Sequence, residues 1–299
     1  MNRKNKKNRS TIHHYIMCLA VLLLVVIGCD GMRNEEPLQI CFIRNGDVWV
    51  VDEDGSNLKQ LTFTGTNEWP SWSADGKYIV YGSVTGGHNE IFLMEWDGSN
   101  NRQLTVCVLS DENYYCPTWL PDGSGIVYNR FVSTSAFSYI GIMDTKGDIK
   151  NEYLLSGVNA RINALTISND GKMVAYNWSG TNFIGLFNIM TQSNNSALIT
   201  PTNYSLTWSP EGDSFAYIQG SYIYKYDISS ALNTFSYSSI YVENSFMGIS
   251  WRPSGDAIVL VSDALPYIGI CIFNFNTNQF KSITNDSTDK HPCFIGKPR

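Results

Sequence analysis

WSADG at residues 72–76 recurs along the chain as WLPDG (119–123), WSPEG (208–212) and WRPSG (251–255). ISNDG (167–171) is a weaker copy, and Phe294 in PCFIG is a truncated one. Each copy begins with an aromatic or apolar anchor, and successive anchors are 47, 48, 41, 43 and 43 residues apart. This period is typical of the four-stranded blades of a β-propeller, and it is not that of a helical repeat.

Between the anchors, apolar residues alternate with polar ones, which is the period of a β-strand. The first complete repeat predicts four strands, from the innermost outwards: EWPSWS (68–73), KYIVYGS (77–83), EIFLMEWD (90–97) and NNRQLTV (100–106). Asp75-Gly76 and Asp97-Gly98 are predicted hairpin corners, because glycine accepts a positive φ and aspartate hydrogen-bonds the backbone that follows it.

The two ends of the repeat region complement each other. LQICFIRNG (38–46) matches the second strands, DVWVVDEDG (47–55) the third and LKQLTF (58–63) the fourth, whereas HPCFIG (291–296) is a first strand without successors. A composite blade built from both ends removes the exposed edges of an open array. We therefore predict an all-β fold, a closed six-bladed propeller of four-stranded antiparallel blades.

The landmarks DEDGSNLKQLT (52–62), PSWSADGKYIVYGS (70–83) and WDGSNNRQLT (96–105) closely resemble the TolB-like propeller family, also described as WD-like or PD-type repeats. The resemblance covers residues 39–299. It is specific for the fold and indicates little about activity. It implies protein partners. Members such as TolB itself carry an additional α/β domain ahead of the propeller, for which residues 38–299 leave no room.

The first 28 residues are predicted to be a signal peptide. Five basic residues before position 10 precede an apolar run from Ile16 to Ile27, too short to span a bilayer comfortably. Gly28-Cys29 after this run resembles a lipobox, which implies cleavage before Cys29 and its lipidation. The alternative is a secretory peptide with an incidental cysteine. Residues 29–37 then form a tether, and residues 38–299 the propeller.

Removing the leader makes the chain strongly acidic. Of 21 basic residues, 16 remain against 27 acidic ones, a net charge of about −11. Such a charge disfavours nucleic acids and anionic membrane surfaces as partners. The lipid on Cys29 is therefore the predicted membrane contact, and the predicted location is the bacterial cell envelope.

Five cysteines belong to the predicted propeller. Alignment of ICFIR (40–44) with YIVYG (78–82) places Cys41 opposite Cys293 in the composite blade, so a disulfide there is a possible bond across the two chain ends. The alternative is a pair of buried thiols. Cys107 and Cys116 bracket one loop and are a second possible disulfide, and Cys271 is predicted to be a buried free thiol.

The motifs of common catalytic sites are not found in this sequence. Only His88 and His291 follow the leader, neither lies in an HExxH motif, and there is no GxSxG elbow. The acidic stretch Asp52–Asn57 suggests calcium but lacks the bidentate glutamate of an EF-hand, so we interpret it as a hairpin corner. We predict no cofactor, no metal and no enzymatic activity.

The longest and least repeated segments are VTGGHNE (84–90), CVLSDENYYC (107–116) and FVSTSAFS (131–138), which we call the docking loops. In an up-down meander they emerge on one face, and loops that depart from a repeat carry specificity. The candidate partner-binding residues on or beside them are Trp69, His88, Asp111, Glu112, Tyr114, Tyr115, Phe131 and Phe137. The alternative is that these loops are ordinary exposed loops with aromatic residues packed onto the rim.

The sequence therefore predicts a lipid-anchored, monomeric propeller that binds an envelope protein or peptide without catalysis. The alternative is an enzyme or carbohydrate-binding protein that uses the central channel. More than two buried ionisable groups at the channel mouth would favour catalysis. A third interpretation is a structural sensor that works with a neighbouring gene product.

Overall fold

The computed structural model describes residues 38–155, 160–178, 184–197, 205–219, 222–228, 232–237, 248–264 and 266–295. The predicted leader, the lipidation site Cys29 and the tether lie outside these residues. Within them the chain forms 24 β-strands in six four-stranded antiparallel sheets and no helix. The prediction of an all-β propeller with six blades is confirmed.

Blade 1 contains strands from both ends of the chain, and each of the other blades is a continuous segment. Blade 1 consists of β24 (Lys290–Phe294), β1 (Gln39–Arg44), β2 (Asp47–Asp52) and β3 (Lys59–Gln60). Blade 2 consists of β4 (Asn67–Trp72), β5 (Tyr78–Thr85), β6 (His88–Glu95) and β7 (Arg102–Gln103). Blade 3 consists of β8 (Glu112–Trp119), β9 (Ile126–Val132), β10 (Phe137–Met143) and β11 (Ile149–Leu154).

The remaining blades follow the same order from the innermost strand outwards. Blade 4 consists of β12 (Ile162–Ile167), β13 (Met173–Trp178), β14 (Ile184–Asn188) and β15 (Ser193–Ala197). Blade 5 consists of β16 (Leu206–Trp208), β17 (Ser214–Gln219), β18 (Tyr222–Asp227) and β19 (Leu232–Tyr237). Blade 6 consists of β20 (Ile249–Trp251), β21 (Ala257–Ala264), β22 (Tyr267–Asn274) and β23 (Gln279–Ser282).

The ring closes where β24 pairs antiparallel with β1. Ile40 is the register partner of Phe294, and Cys41 is the partner of Cys293. The backbone N–H of Ile295 also donates to the carbonyl of Gln39 at 2.9 Å. No sheet edge is left between the two chain ends, so the predicted composite blade is confirmed.

The hydrophobic core lies between neighbouring blades. Among the described residues there are six apolar clusters, and each joins two adjacent blades. Trp72, for example, packs with Ile79 of its own blade against Cys41 and Val50 of blade 1. Five of the six repeat anchors belong to these clusters and the sixth, Trp251, packs against one, which confirms that the recurring tryptophans pack between blades.

The turn after each anchor explains the recurring glycine. Gly76 has a φ of +70°, a left-handed conformation that a side chain would strain. Ser73 donates its hydroxyl to Asp75 at 2.7 Å, and Asp75 accepts the backbone N–H of Lys77 at 3.1 Å. This turn reverses the chain between β4 and β5, so the innermost strand of the blade ends at its anchor.

Candidate functional site at the channel mouth

The innermost strands of all six blades line a central cavity of about 420 Å³. The residue before each anchor lies in the middle of this channel, because it lines both the cavity and a second pocket at the opposite end. These six residues are Ser71, Thr118, Thr166, Thr207, Ser250 and Cys293. The middle of the channel is therefore lined by five residues with a hydroxyl group and one with a thiol, none of which carries a permanent charge.

The charged groups lie at one end of this channel, which we call the channel mouth. The residues four places before the anchors of blades 1, 2 and 4 are Lys290, Glu68 and Asn163, and Arg161 comes two residues before Asn163. Lys290, Glu68 and Arg161 are all exposed to the cavity. Among the described residues, neither cation has a carboxylate within ion-pair distance. The mouth therefore carries an excess of positive charge on an acidic protein.

The backbone at the mouth adopts a conformation that is unfavourable for most side chains. Trp69, Cys116 and His291 occupy the same repeat position and have φ values of +52°, +50° and +50°. Gly248, at the equivalent position of blade 6, has a φ of +79°. A non-glycine residue in this region costs on the order of 1 kcal/mol or more, and such strain clusters at functional sites.

A register shift accompanies this conformation. The pairing of β4 with β5 is interrupted between Glu68 and Ser71, and that of β8 with β9 between Tyr115 and Thr118. Such bulges turn a strand and aim its side chains in a new direction. In this way the first residues of the inner strands point toward the channel mouth.

The channel shifts the pKa of two of its ionisable groups. Desolvation raises the pKa of the Glu68 carboxyl above its usual value, although the positive charges of Lys290 and Arg161 oppose this shift. Burial, together with the positive charge of Lys290, lowers the pKa of His291 to about 4. At neutral pH His291 is therefore uncharged, and the two cations provide the positive charge of the mouth.

Of the predicted binding residues, Trp69 lines the mouth, and Tyr115 is buried against it. Their rings meet edge to face with centroids 5.7 Å apart, and the Trp69 ring lies 5.9 Å from the ring of His291. The guanidinium carbon of Arg161 lies 5.2 Å from the centroid of Tyr115, within the range of a cation–π contact. The mouth thus combines aromatic surface with positive charge.

The docking loops are joined to one another by hydrogen bonds. His88 donates from Nδ1 to the carbonyl of Glu112 at 3.0 Å, and the N–H of Asn89 donates to Asn113 at 2.9 Å. Asp111 accepts a backbone hydrogen bond from Ser133 at 2.9 Å, as well as the hydroxyl of Thr134. The loops of blades 2 and 3 therefore form one continuous face on the same end of the propeller as the channel mouth.

The other predicted residues divide into buried and accessible ones. Tyr114 is buried against Tyr128 with ring centroids 5.6 Å apart, and buried Glu112 accepts a hydrogen bond from Arg130 at 2.8 Å. These two side chains support the loops from within. Phe137 is 43% exposed and Phe131 is partly buried, so they remain accessible to a partner.

Sequence reasoning did not single out Glu68, Arg161, Lys290 or the mouth position of His291. Glu68 and Lys290 occupy repeat positions that equivalent blades fill with Tyr115 and Asn163, so nothing in the repeat pattern marks them as a group. Stacking the six inner strands and reading the position four before each anchor would have found two of them. Arg161 precedes that position and has no such signal.

The acidic stretch Asp52–Asn57 forms a hairpin corner. The backbone N–H of Gly55 donates to the carbonyl of Asp52 at 2.8 Å, and Asn57 donates its amide to the Asp52 carboxylate at 2.7 Å. Its carboxylate oxygens therefore accept hydrogen bonds within the turn. In the described part of the chain, no group of three or more histidine, cysteine or acidic side chains is arranged to hold a metal ion.

All five cysteines of the described region are free thiols, so the structure contains neither of the two possible disulfides. Cys107 donates to the carbonyl of Glu112 at 3.0 Å, whereas Cys116 donates to that of Ile162 in blade 4 at 3.7 Å. Their thiols thus have separate partners. Cys271 is fully buried, as predicted. Over the same residues, no helix is long and apolar enough to cross a membrane.

Three comparisons relate this geometry to known proteins. An uncharacterized protein of Agrobacterium fabrum is 26% identical over 182 residues, which are 60% of this chain and 50% of that protein. The crystal structure of TolB from Acinetobacter baumannii superimposes with a TM-score of 0.68 at 16% identity, covering 86% of this chain and 66% of that one. A structure of putative TolB from Agrobacterium tumefaciens gives a TM-score of 0.62 at 16% identity, covering 83% and 88% of the two chains.

The chain thus spans half the length of the curated relative and about two thirds of the Acinetobacter protein. At these identities the structural likenesses show the fold alone. A family model goes further, since the TolB beta propeller domain matches residues 38–203, more than half of the chain. The chain belongs to the family of TolB β-propeller domains.

Proposed function

We propose that this protein is a lipid-anchored, monomeric scaffold of the bacterial cell envelope that binds a polypeptide segment of another protein without catalysing a reaction. The segment lies across the docking loops, and a carboxylate of that segment enters the channel mouth. Membership of the TolB family supports a protein-interaction role at the coarse level. The sequence around Cys29 supports the lipid anchor and the envelope location.

The observation that carries the proposal is a set of exposed apolar side chains in the docking loops, at the same end of the propeller as the channel mouth. Val108 is 86% exposed and Leu109 is 54% exposed, both in the docking loop of residues 107–116. Phe137 belongs to the neighbouring docking loop, which hydrogen bonds join to the first. Exposed apolar side chains that lie together on the surface of a protein are typical of a protein-binding site.

Charge complementarity indicates the chemistry of the bound segment. Residues 29–299 carry a net charge of about −11, yet Arg161 and Lys290 face an open cavity without a paired carboxylate among the described residues. A cation inside a narrow cavity is only partly screened by water, so it attracts an anionic group more strongly than an exposed one does. Trp69 provides aromatic surface in the same cavity.

Site-specific photo-crosslinking in the native host tests the proposal. A photoreactive phenylalanine derivative replaces Leu109 in the full chain, and the matched control replaces Trp96, which is 52% exposed in a turn at the opposite end of blade 2. We expect a discrete protein adduct from position 109 only, and its loss when Arg161→Glu and Lys290→Glu are added. Equal adducts from both positions, or none from position 109, would contradict the proposal.

The lipid anchor is tested separately. The full chain is labelled with a radioactive or alkyne-tagged fatty acid, and the variant Cys29→Ser is the control. We expect label on the wild type and none on the variant. Label retained by the variant would show that Cys29 is not the modified residue, without bearing on the docking face.

The channel remains the alternative site for an enzyme or a carbohydrate-binding protein. The observation that favours it is that Trp69 lines the same cavity as five residues with hydroxyl groups, because sugars bind both to aromatic faces and to hydroxyl groups. Glu68, Arg161 and Lys290, the charged side chains at the mouth, are exposed, whereas Tyr115 and Cys116 are buried and His291 is partly buried. Absence of a protein adduct at position 109, together with binding of an oligosaccharide that the variant Trp69→Ala abolishes, would favour this alternative.

A further inference from the structure

Blade 1 departs from a pattern that the other five blades share at the residue before the anchor. In each of those five blades, the residue before the anchor pairs with a small aliphatic residue of the second strand. The pairs are Ser71 with Val80, Thr118 with Val127, Thr166 with Ala175, Thr207 with Ala216 and Ser250 with Val259. In blade 1 the equivalent pair is Cys293 with Cys41.

Among the blades as described, blade 1 is also the only one whose first and second strands have no turn between them. In blade 2, residues 73–77 connect β4 to β5 directly, and the other continuous blades have equivalent turns. The corresponding strands of blade 1, β24 and β1, belong to opposite ends of the chain. The pair of cysteines therefore stands where the covalent connection between these strands is missing.

We propose that Cys41 and Cys293 form a disulfide that closes the propeller ring covalently. The bond replaces the hairpin turn that joins these two strands in every other blade. It is a modification site of the fold and is independent of the partner proposed above.

The geometry meets the requirements of such a bond. Directly opposed residues of an antiparallel pair have Cα atoms about 4.5–5.5 Å apart. This is within the separation of about 4.4–6.8 Å that disulfides span. The two side chains lie on the same face of the sheet, because register partners share a face, and both belong to the apolar cluster between blades 1 and 2.

The surroundings of the two thiols support thiol exchange. A hydrogen bond from Cys41, with others from Ser250 and Ser71, lowers the pKa of Cys293 to about 7, whereas burial raises the pKa of Cys41. Cys293 lines the channel, and Cys41 is fully buried behind it. Cys293 is therefore the thiolate that reacts first.

The reaction consists of two exchanges with an external disulfide, such as that of an oxidised thiol–disulfide oxidoreductase or of oxidised glutathione. The Cys293 thiolate attacks one external sulfur, forms a mixed disulfide and releases the other sulfur as a thiolate. Cys41 then loses its proton and attacks the sulfur of Cys293, which displaces the second external thiolate. The electron pair and both protons pass to the external couple, which is reduced to two thiols.

Peptide mapping tests the bond directly. The full chain is unfolded in reductant and refolded with oxidised glutathione, so the result does not depend on where the protein resides. Remaining thiols are alkylated before digestion with trypsin. We expect residues 34–44 linked to residues 291–299, since each of these tryptic peptides carries one of the two cysteines. Alkylation of both cysteines, or a link from either to another cysteine, would overturn the proposal.

Thermal unfolding with and without reductant tests whether the disulfide stabilises the fold. The double variant Cys41→Val/Cys293→Ser reproduces the Ser71–Val80 pair of blade 2, so its fold is not expected to change. We expect reductant to lower the Tm of the wild type by roughly 5 °C or more and to leave that of the double variant unchanged. Cys107→Ser is the control and keeps the wild-type response. If reductant did not change the Tm of the wild type, or lowered the Tm of the double variant equally, the disulfide would not stabilise the fold.

Discussion

Arg44, the last residue of β1, donates two hydrogen bonds to Asp289, the residue just before β24, across 245 positions of sequence. Its Nε lies 2.7 Å from one carboxylate oxygen, and Nη2 lies 3.0 Å from the other. Asp289 is fully buried and also accepts the hydroxyl of Thr284. This bidentate pair joins the first strand of the propeller to the segment that leads into the last.

Asp289→Ala is expected to lower the free energy of unfolding by about 3 kcal/mol, because it removes the buried carboxylate of a bidentate pair and leaves the Arg44 guanidinium with only the more exposed Asp286 at 3.3 Å. Urea denaturation of the full chain measures this loss. The control is Lys172→Ala, which breaks an exposed ion pair with Asp170 and is expected to cost less than about 1 kcal/mol. Equal losses in the two variants would mean that the Arg44–Asp289 pair does not support ring closure.

Arg130→Met is expected to destabilise the protein by about 3 kcal/mol. Arg130 is the cation for both Glu112 at 2.8 Å and Glu152 at 2.9 Å, and these side chains are largely buried. Removing it leaves two carboxylates without a positive partner. The matched variant Glu112→Gln keeps a hydrogen-bond acceptor and is expected to cost less. If Glu112→Gln left stability unchanged but abolished the adduct at position 109, Glu112 would contact the partner rather than support the loop.

Gly141→Ala is expected to destabilise blade 3 by about 1–3 kcal/mol. A Cβ at this position would lie 2.2 Å from the ring of Tyr128, its register partner on β9, and Tyr128 is fully buried. Urea denaturation measures the loss. The variant Tyr128→Leu removes the clashing ring, so adding Gly141→Ala to it should cost little. If the two changes were additive, the contact with Tyr128 would not be the reason for the glycine.

Protonation of His291 is expected to destabilise the fold in mild acid. Its pKa is about 4 in the folded state, against 6.5 for an unperturbed histidine, so between these values the unfolded chain binds the proton more readily. The free energy of unfolding therefore falls as the pH drops from about 6.5 toward 4. Denaturation midpoints across this range, compared with those of His291→Gln, measure the effect, and the variant should lose less stability.

Glu68 at the same mouth acts in the opposite direction. Its pKa is raised in the folded state, so the folded protein takes up that proton more readily as the pH falls, and this partly offsets the effect of His291. The variant Glu68→Gln should therefore steepen the loss of stability in mild acid. Parallel profiles for the wild type, His291→Gln and Glu68→Gln would contradict both assignments.

Much of the fold is predictable because its signals are local. The anchor of each repeat and its turn glycine are within five residues of each other, and Gly76 needs its positive φ whatever surrounds it. Closure by the two ends also follows from counting strands, since residues 38–63 supply three strand types and residues 291–296 the missing one. The docking loops are predictable because they depart from the repeat, and their hydrogen bonds place them on one face.

The candidate site is only half predictable. Trp69 lines the mouth, but the predicted residues Glu112, Tyr114 and Tyr115 are buried. Alternation predicts which residues share a face of a strand, and it does not tell whether that face meets the channel or the next blade. The bulges at Trp69 and Cys116 break the alternation at this point, so the side-chain directions change where the site begins.

The sequence by itself determined the number of blades, their strand order, the inter-blade anchors and the pairing of Cys41 with Cys293, because turn chemistry and period-two alternation act over a few residues. Only the tertiary structure decided that Glu68, Arg161, Lys290 and His291 meet at one mouth. These residues are separated by 93 or more positions from blade to blade, apart from adjacent Lys290 and His291. They converge because the six inner strands surround one axis, and the position of that axis depends on the packing of all six blades.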